Sequence, residues 1–330
     1  MQRKEVNPTW NTHELAASGG VFWLLLVPFP LADGVLNTIS KLLLLTILFF
    51  CPLLLSLISP VEENIFFYSR LRLLQLWAAF AVTFSFTVQQ GTPGAGPALF
   101  ASMWLLFTLL LALYGVLRLL PWRWPRAEEL VISAGLIYLP VGAGWLVLSR
   151  LGANPLGFSD AIVLLTAIHF HYAGFAIPIL VGMSGRLLTR SKAPSWATML
   201  YRAVVAGVIV GPPLIALGIT FSRPLEALAA TIFALTLMAY SLLTLVIIVP
   251  RVSNRANQIL LSLSSLILLV TMLLAMGYAV GGFSGWMALT IPQMVQFHGW
   301  GNALVVLFAL IAWVRERPEA MVPNGESKIG

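Results

Sequence analysis

The chain has 330 residues, of which 59% are apolar and 9% charged, and its formal net charge is +7. Soluble domains carry about 25% charged residues, so the composition excludes a soluble fold, a disordered chain and a nucleic-acid-binding module. A membrane span needs about 20 apolar residues; the length accommodates about ten, and the basic excess belongs to loops.

Apolar runs bounded by charges, prolines and glycines predict ten spans. The first is short, 17–31, and leads into Pro28, Pro30, Asp33 and Gly34. The second covers 41–59, and the third, 71–88, ends at Gly91-Thr92-Pro93-Gly94. The fourth covers 98–119 and is closed by Pro121-Trp122-Arg123-Trp124, a pattern suited to the headgroup layer. The remaining six are 129–148, 160–183, 196–221, 225–249, 258–280 and 291–314. The expectation is an all-α integral membrane protein. Residues 1–314 form one polytopic domain, and residues 315–330 form a polar tail. The lone Cys51 lies in an apolar run and excludes a disulfide framework.

Strict alternation of ten spans sorts the 19 basic residues. Only Lys41, Arg150 and Arg223 fall on one side; the other sixteen share the side of the N-terminus. The positive-inside rule then predicts both termini in the cytoplasm. The Gly207/Gly211 and Gly277/Gly281 pairs have the spacing of helix-packing motifs.

Polar side chains at membrane depth are costly and need a reason. His169 and His171 lie in the sixth span and His298 in the tenth, all about 10–17 Å below the outer surface at about 1.5 Å per residue. Asp160 shares a helical face with His171, eleven residues away. His169 is about 200° from His171 on a regular helix, which is awkward for chelation of one ion. Pro178 predicts a kink near Gly174. Asp160 and Asp33 are thus candidate catalytic carboxylates beside His169, His171 and His298. Asn302, four residues beyond His298, is expected to orient it. Gln293, Gln296, Tyr172, Tyr138 and Tyr278 complete a candidate substrate-binding set.

The string Ala167-Ile168-His169-Phe170-His171-Tyr172-Ala173-Gly174-Phe175, with His298-Gly299 and Asn302-Ala303, resembles the YndJ-like family of bacterial membrane proteins. The resemblance implies a polytopic fold in the bacterial cytoplasmic membrane and points to His169, His171 and His298. It supplies no chemistry.

Two functional classes remain open. In the first, the histidines and aspartates form an acid–base site acting on a lipophilic small molecule that enters from the bilayer. Isomerisation, cyclisation or epoxide-type hydrolysis suits such a site. No cofactor is expected; the runner-up is a divalent metal on the three histidines. In the second, the chain is a secondary transporter with proton-carrying His and Asp groups. Its first and sixth spans would then be corresponding broken helices.

Overall fold

The computed structural model describes residues 10–58, 65–121, 125–191, 193–286 and 289–318. The Trp122–Trp124 interface segment and all but the first residues of the 315–330 tail fall outside them. Among the described residues the architecture is helical, without a strand.

The described residues form ten helices. α1 is Trp10–Leu26. α2 begins as Gly34–Leu45 and continues through a π-helical turn, Thr46–Phe50, into Cys51–Leu57. α3 is Ile65–Thr87, α4 Ala95–Leu117 and α5 Ala127–Leu151. α6 is Asp160–Arg190 and α7 Ser195–Phe221. α8 is Arg223–Arg251, α9 Arg255–Ser284 and α10 Ile291–Glu316.

Among the described residues, eight of the ten are long and apolar enough to cross a membrane. The described part of α1 is 17 residues long. α3 is 23 residues long, and its described side chains include the apolar stretch Leu74–Thr87.

These helices are apolar on all sides, as expected where lipid takes the place of water. α4 illustrates the division. Leu99, Met103, Leu106 and Leu113 recur at helical spacing and are exposed. Ala101, Trp104, Thr108, Leu111 and Tyr114 face inward and are buried. Gly115 sits where α4 meets α5, and a Cβ there would lie 2.8 Å from that of Leu136. Gly207 and Gly211 admit Thr236 and Phe233 of α8 in the same way. Gly277 does not follow the packing expectation, because it faces open space.

The helices enclosed most completely are α2 and α6. α2 packs on both α6 and α10, and α6 also touches α10. This trio positions the histidines. Its members run parallel: the Tyr172 hydroxyl of α6 donates to the Leu42 carbonyl of α2 at 3.2 Å. A Cβ on Gly299 of α10 would lie 3.0 Å from Leu42 Cδ1. Leu42, Tyr172 and Gly299 are therefore at one level, each several residues in from its helix start.

At the opposite end, the start of α1 meets the end of α10, where Arg317 Nη2 donates to His13 Nε2 at 2.6 Å. The first and last helices thus end on one face of the bundle, as an even number of crossings requires. We call this the arginine face, and the one carrying Asp33 and Asp160 the aspartate face.

Three boundaries differ from expectation. α2 starts at Gly34, not Lys41, because Asn37 and Thr38 do not interrupt it; Asn37 Oδ1 accepts from the Leu31 amide at 3.0 Å. Pro28 and Pro30 lie beyond the end of α1, so the first span is not a broken helix. The described part of α1 runs from Trp10, seven residues before the expected start at 17, so His13 lies within it.

Candidate functional site

α6 is regular from Asp160 to His171, so His169 and His171 point to nearly opposite sides. The kink expected near Gly174 takes the form of a π-helical turn, Tyr172–Ala176, just before Pro178.

His171 is fully buried against α4 and α5. Its Nδ1–H donates to its own helix at Ala167 O, 2.8 Å, and its Nε2 accepts from Trp104 Nε1 at 3.0 Å. The two rings stack at 6.2 Å between centroids. A Cβ on Gly142 would come within 2.8 Å of His171 Nδ1, so glycine is what lets α5 approach. Both ring nitrogens are occupied, which fixes the neutral Nδ1–H tautomer. The expected pairing of His171 with Asp160 or Asp33 does not occur. Eleven residues on one helical face put Asp160 about 16 Å up the axis, and Asn154 Nδ2 donates to its carboxylate at 2.8 Å. Asp33 is exposed at the cap of α2.

His169 turns the other way. It sits about 13 Å into α6 and is exposed. Its Nδ1–H donates to Leu165 O at 2.6 Å. His298, on a π-helical turn of α10 spanning Val295–Gly299, is half-buried and donates from Nδ1 to Thr271 O of α9 at 2.9 Å. His298 lies within electrostatic range of His169. In each ring the carbonyl partner holds the proton on Nδ1, and Nε2 carries the lone pair without a hydrogen bond to any described residue. The segments carrying His169 and His298 both pack on α2, while His171 is turned to Trp104. Among the described residues no three His, Cys, Asp or Glu side chains gather as metal ligands; the three-histidine donor set fails because His171 is turned to Trp104.

The remaining candidates divide. Asn302 makes its hydrogen bond to Thr271 rather than to His298. Its Oδ1 accepts from Thr271 Oγ1 at 3.0 Å, so the two side chains hold opposite ends of one residue. Gln293 is a cap: its Oε1 accepts from the Thr290 amide at 2.8 Å in a capping box at the start of α10. Gln296 is exposed two residues before His298, about half a turn away. Tyr172 is buried, its ring edge-on to Phe50 at 6.2 Å. Tyr138 is committed to α7, donating to Ile209 O at 2.6 Å. Tyr278 lines a separate cleft of about 240 Å³ with Arg223 and Glu226 near the aspartate face.

A buried ionic cluster near the arginine face escaped the sequence reading. Arg186 binds Glu129 with two bonds, Nε to Oε1 at 2.7 Å and Nη2 to Oε2 at 3.0 Å. Arg118 also pairs with Glu129 Oε2, and Arg186 Nη1 donates to Leu57 O at 3.1 Å. Thr189 Oγ1 donates to Glu128 at 3.1 Å. The cluster ties the ends of α2, α4 and α6 to the start of α5. Arg186 lies in the continuation of an apolar run, which was the available signal; its partner is 57 residues away in sequence.

A family model described as YndJ-like protein matches residues 41–306. A curated relative, "Uncharacterized membrane protein YndJ" of Bacillus subtilis (strain 168), is 34% identical over 282 residues, covering 84% of this chain and 49% of that protein. The chain thus spans about half the length of this relative. No solved structure matches it. Both histidine segments lie inside the matched region, and this multi-pass membrane protein belongs to the YndJ-like family.

Proposed function

We propose that the His169/His298 crevice is an intramembrane acid–base site that moves protons on a lipophilic small molecule, in isomerisation, cyclisation or epoxide-type hydrolysis. The observation that carries this reading is the pair itself. Two imidazoles from different helices share one depth, each with Nδ1 anchored to a carbonyl and Nε2 unclaimed by the described residues. One neutral ring accepts a proton while the other, once protonated, donates one, so no carboxylate is needed. The reading includes a metal-free site and a bacterial cytoplasmic membrane with both termini inside, following the distribution of basic residues.

The test compares lipid extracts of cells with and without the protein by mass spectrometry. The expected result is a lipophilic species that appears with the native chain, as an isomer or with one added water. It is lost with His169→Ala and with His298→Ala. Product formation in both variants refutes the assignment. Loss of product on chelation replaces the metal-free version with a metal one.

A proton-coupled transporter is the second reading, favoured by the mid-depth breaks in α6 and α10. It predicts redistribution of an unaltered molecule across the membrane rather than a new species.

A further inference from the structure

A charged side chain stands on α2, the helix against which both histidine segments pack, without a side-chain partner among the described residues. α2 starts at Gly34, which places Lys41 seven residues, about 10 Å, inside the helix. A lysine at that depth is costly unless its ammonium reaches water or an anion. Helical side chains lean toward the N-terminal end, here the aspartate face, and the long apolar stem carries the ammonium toward the mouth of the bundle. Lys41 is half-buried and its side chain makes no hydrogen bond or ion pair with a described residue. The aspartates of that face do not serve it. Asp33 is eight residues, about 12 Å, further up α2, and Asp160 is held by Asn154.

The backbone at Lys41 is where the neighbours converge. Its carbonyl accepts from Trp23 Nε1 at 2.7 Å, and Trp23 meets Trp300 edge-on at 6.3 Å. The next residue, Leu42, receives Tyr172 of α6 and abuts Gly299 of α10. Tyr172 lies about one helical turn beyond His169, and Gly299 directly follows His298. Lys41 thus stands on the helix that both histidine segments touch, with a cation at the mouth and apolar surface below.

We propose that Lys41 is the anion-binding residue of this crevice, and that the molecule it admits is an anionic single-chain amphiphile. The carboxylate or phosphate head would pair with the ammonium at the mouth, and the chain would descend to the level of His169 and His298. This rests on the reading that the two histidines act on a lipophilic molecule, and it names the class of that molecule.

The test uses the full chain in nanodiscs of neutral phosphatidylcholine, with 9,10-dibromostearate as probe. Bromine quenches nearby indoles, and Trp23 and Trp300 are the reporters. The expected result is a saturable quenching component that disappears in the Trp23→Phe/Trp300→Phe variant. Its affinity falls about tenfold or more in Lys41→Met, as loss of a hydrogen bond between charged groups predicts. It survives in Lys41→Arg and in His169→Ala. A dibrominated lysophosphatidate compared with the stearate decides between phosphate and carboxylate heads. Equal saturable quenching by dibromostearylamine overturns the proposal on the native chain alone, and so does undiminished affinity in a monodisperse Lys41→Met protein. Lys41-dependent binding with product formation intact in His169→Ala would instead keep the anion site and remove the acid–base reading.

Discussion

Replacing Glu129 by Gln is the sharpest test of what holds the arginine face together. Glu129 is 4% exposed and its partners Arg118 and Arg186 are 4% and 2% exposed. One carboxylate serves both guanidiniums. Gln removes the charge and keeps one acceptor oxygen, so its amide N–H₂ is driven against an arginine N–H. Two buried cations then face each other with no anion between them. Breaking a buried ion pair by removing one partner costs about 3–5 kcal/mol, and the retained oxygen puts Glu129→Gln near the lower end. Arg118→Met leaves the two-bond Arg186–Glu129 pair whole and should cost about 1.5–3 kcal/mol, the range for one hydrogen bond to a charged group. Adding Arg118→Met to Glu129→Gln removes one of the two cations that shared the lost carboxylate and should recover part of the loss. That non-additivity is the signature of a shared anion. The assay is reversible unfolding in mixed micelles of increasing SDS fraction, followed by far-UV circular dichroism. A Glu129→Gln protein within about 1 kcal/mol of the native chain would refute the reasoning.

Three further outcomes follow from the same geometry. His171→Ala should lower stability in the same assay, because it empties a packed site and orphans Trp104 Nε1; His169→Ala, at an exposed position, should leave stability within about 0.5 kcal/mol. Gly142→Ala should cost about 1–3 kcal/mol by overpacking, since the new methyl meets His171 Nδ1 at 2.8 Å and Ala167 O at 2.9 Å; an increase in stability would contradict the close approach of α5 and α6. Reporter fusions in the Gly91–Gly96 loop should report the outer side, and a cytoplasmic signal there would reverse the assigned orientation.

The number and order of helices were legible because a bilayer demands long apolar runs of any span. Boundaries were less so. Lys41 looked like the end of a loop, because charge is the usual boundary signal; α2 instead runs past it toward Gly34. The divergence of His169 and His171 was legible from the regular 3.6-residue period, which holds from Asp160 to His171. What each then meets was not. Trp104 is 67 residues from His171, and Thr271 is 27 from His298. Neither apolar neighbourhood carries a periodic signal, since lipid-facing and core-facing surfaces of these helices are alike. Asp160 misled for a related reason: a shared helical face fixes direction but not distance. Glu129 resembled a span boundary for want of any local sign of Arg186.

The π-helical turns separate two causes of irregularity. In α2, α6 and α8 the turn is Thr46–Phe50, Tyr172–Ala176 and Thr244–Ile248, and the second residue after each is Pro52, Pro178 and Pro250. A proline cannot donate to the carbonyl four residues earlier, and its ring clashes with it. Those carbonyls belong to Leu48, Gly174 and Val246, the central residue of each turn. Widening the helix there relieves the clash, so these three irregularities follow from local sequence. The fourth turn, Val295–Gly299, has no proline after it. Pro292 precedes it at the helix start, where the missing N–H costs nothing. Local sterics therefore do not require this turn, and its support comes from tertiary contacts: His298 to Thr271 O, Asn302 to Thr271 Oγ1, and Gly299 against Leu42. An inserted residue rotates the helix before it by about 100° relative to the helix after it. In α10 that rotation sets the bearing of His298 relative to the packed surface of Ala303, Val306 and Leu310. Of the four irregular turns, the one without a proline carries a crevice histidine, which is where strain held by packing rather than by local chemistry is expected to serve function.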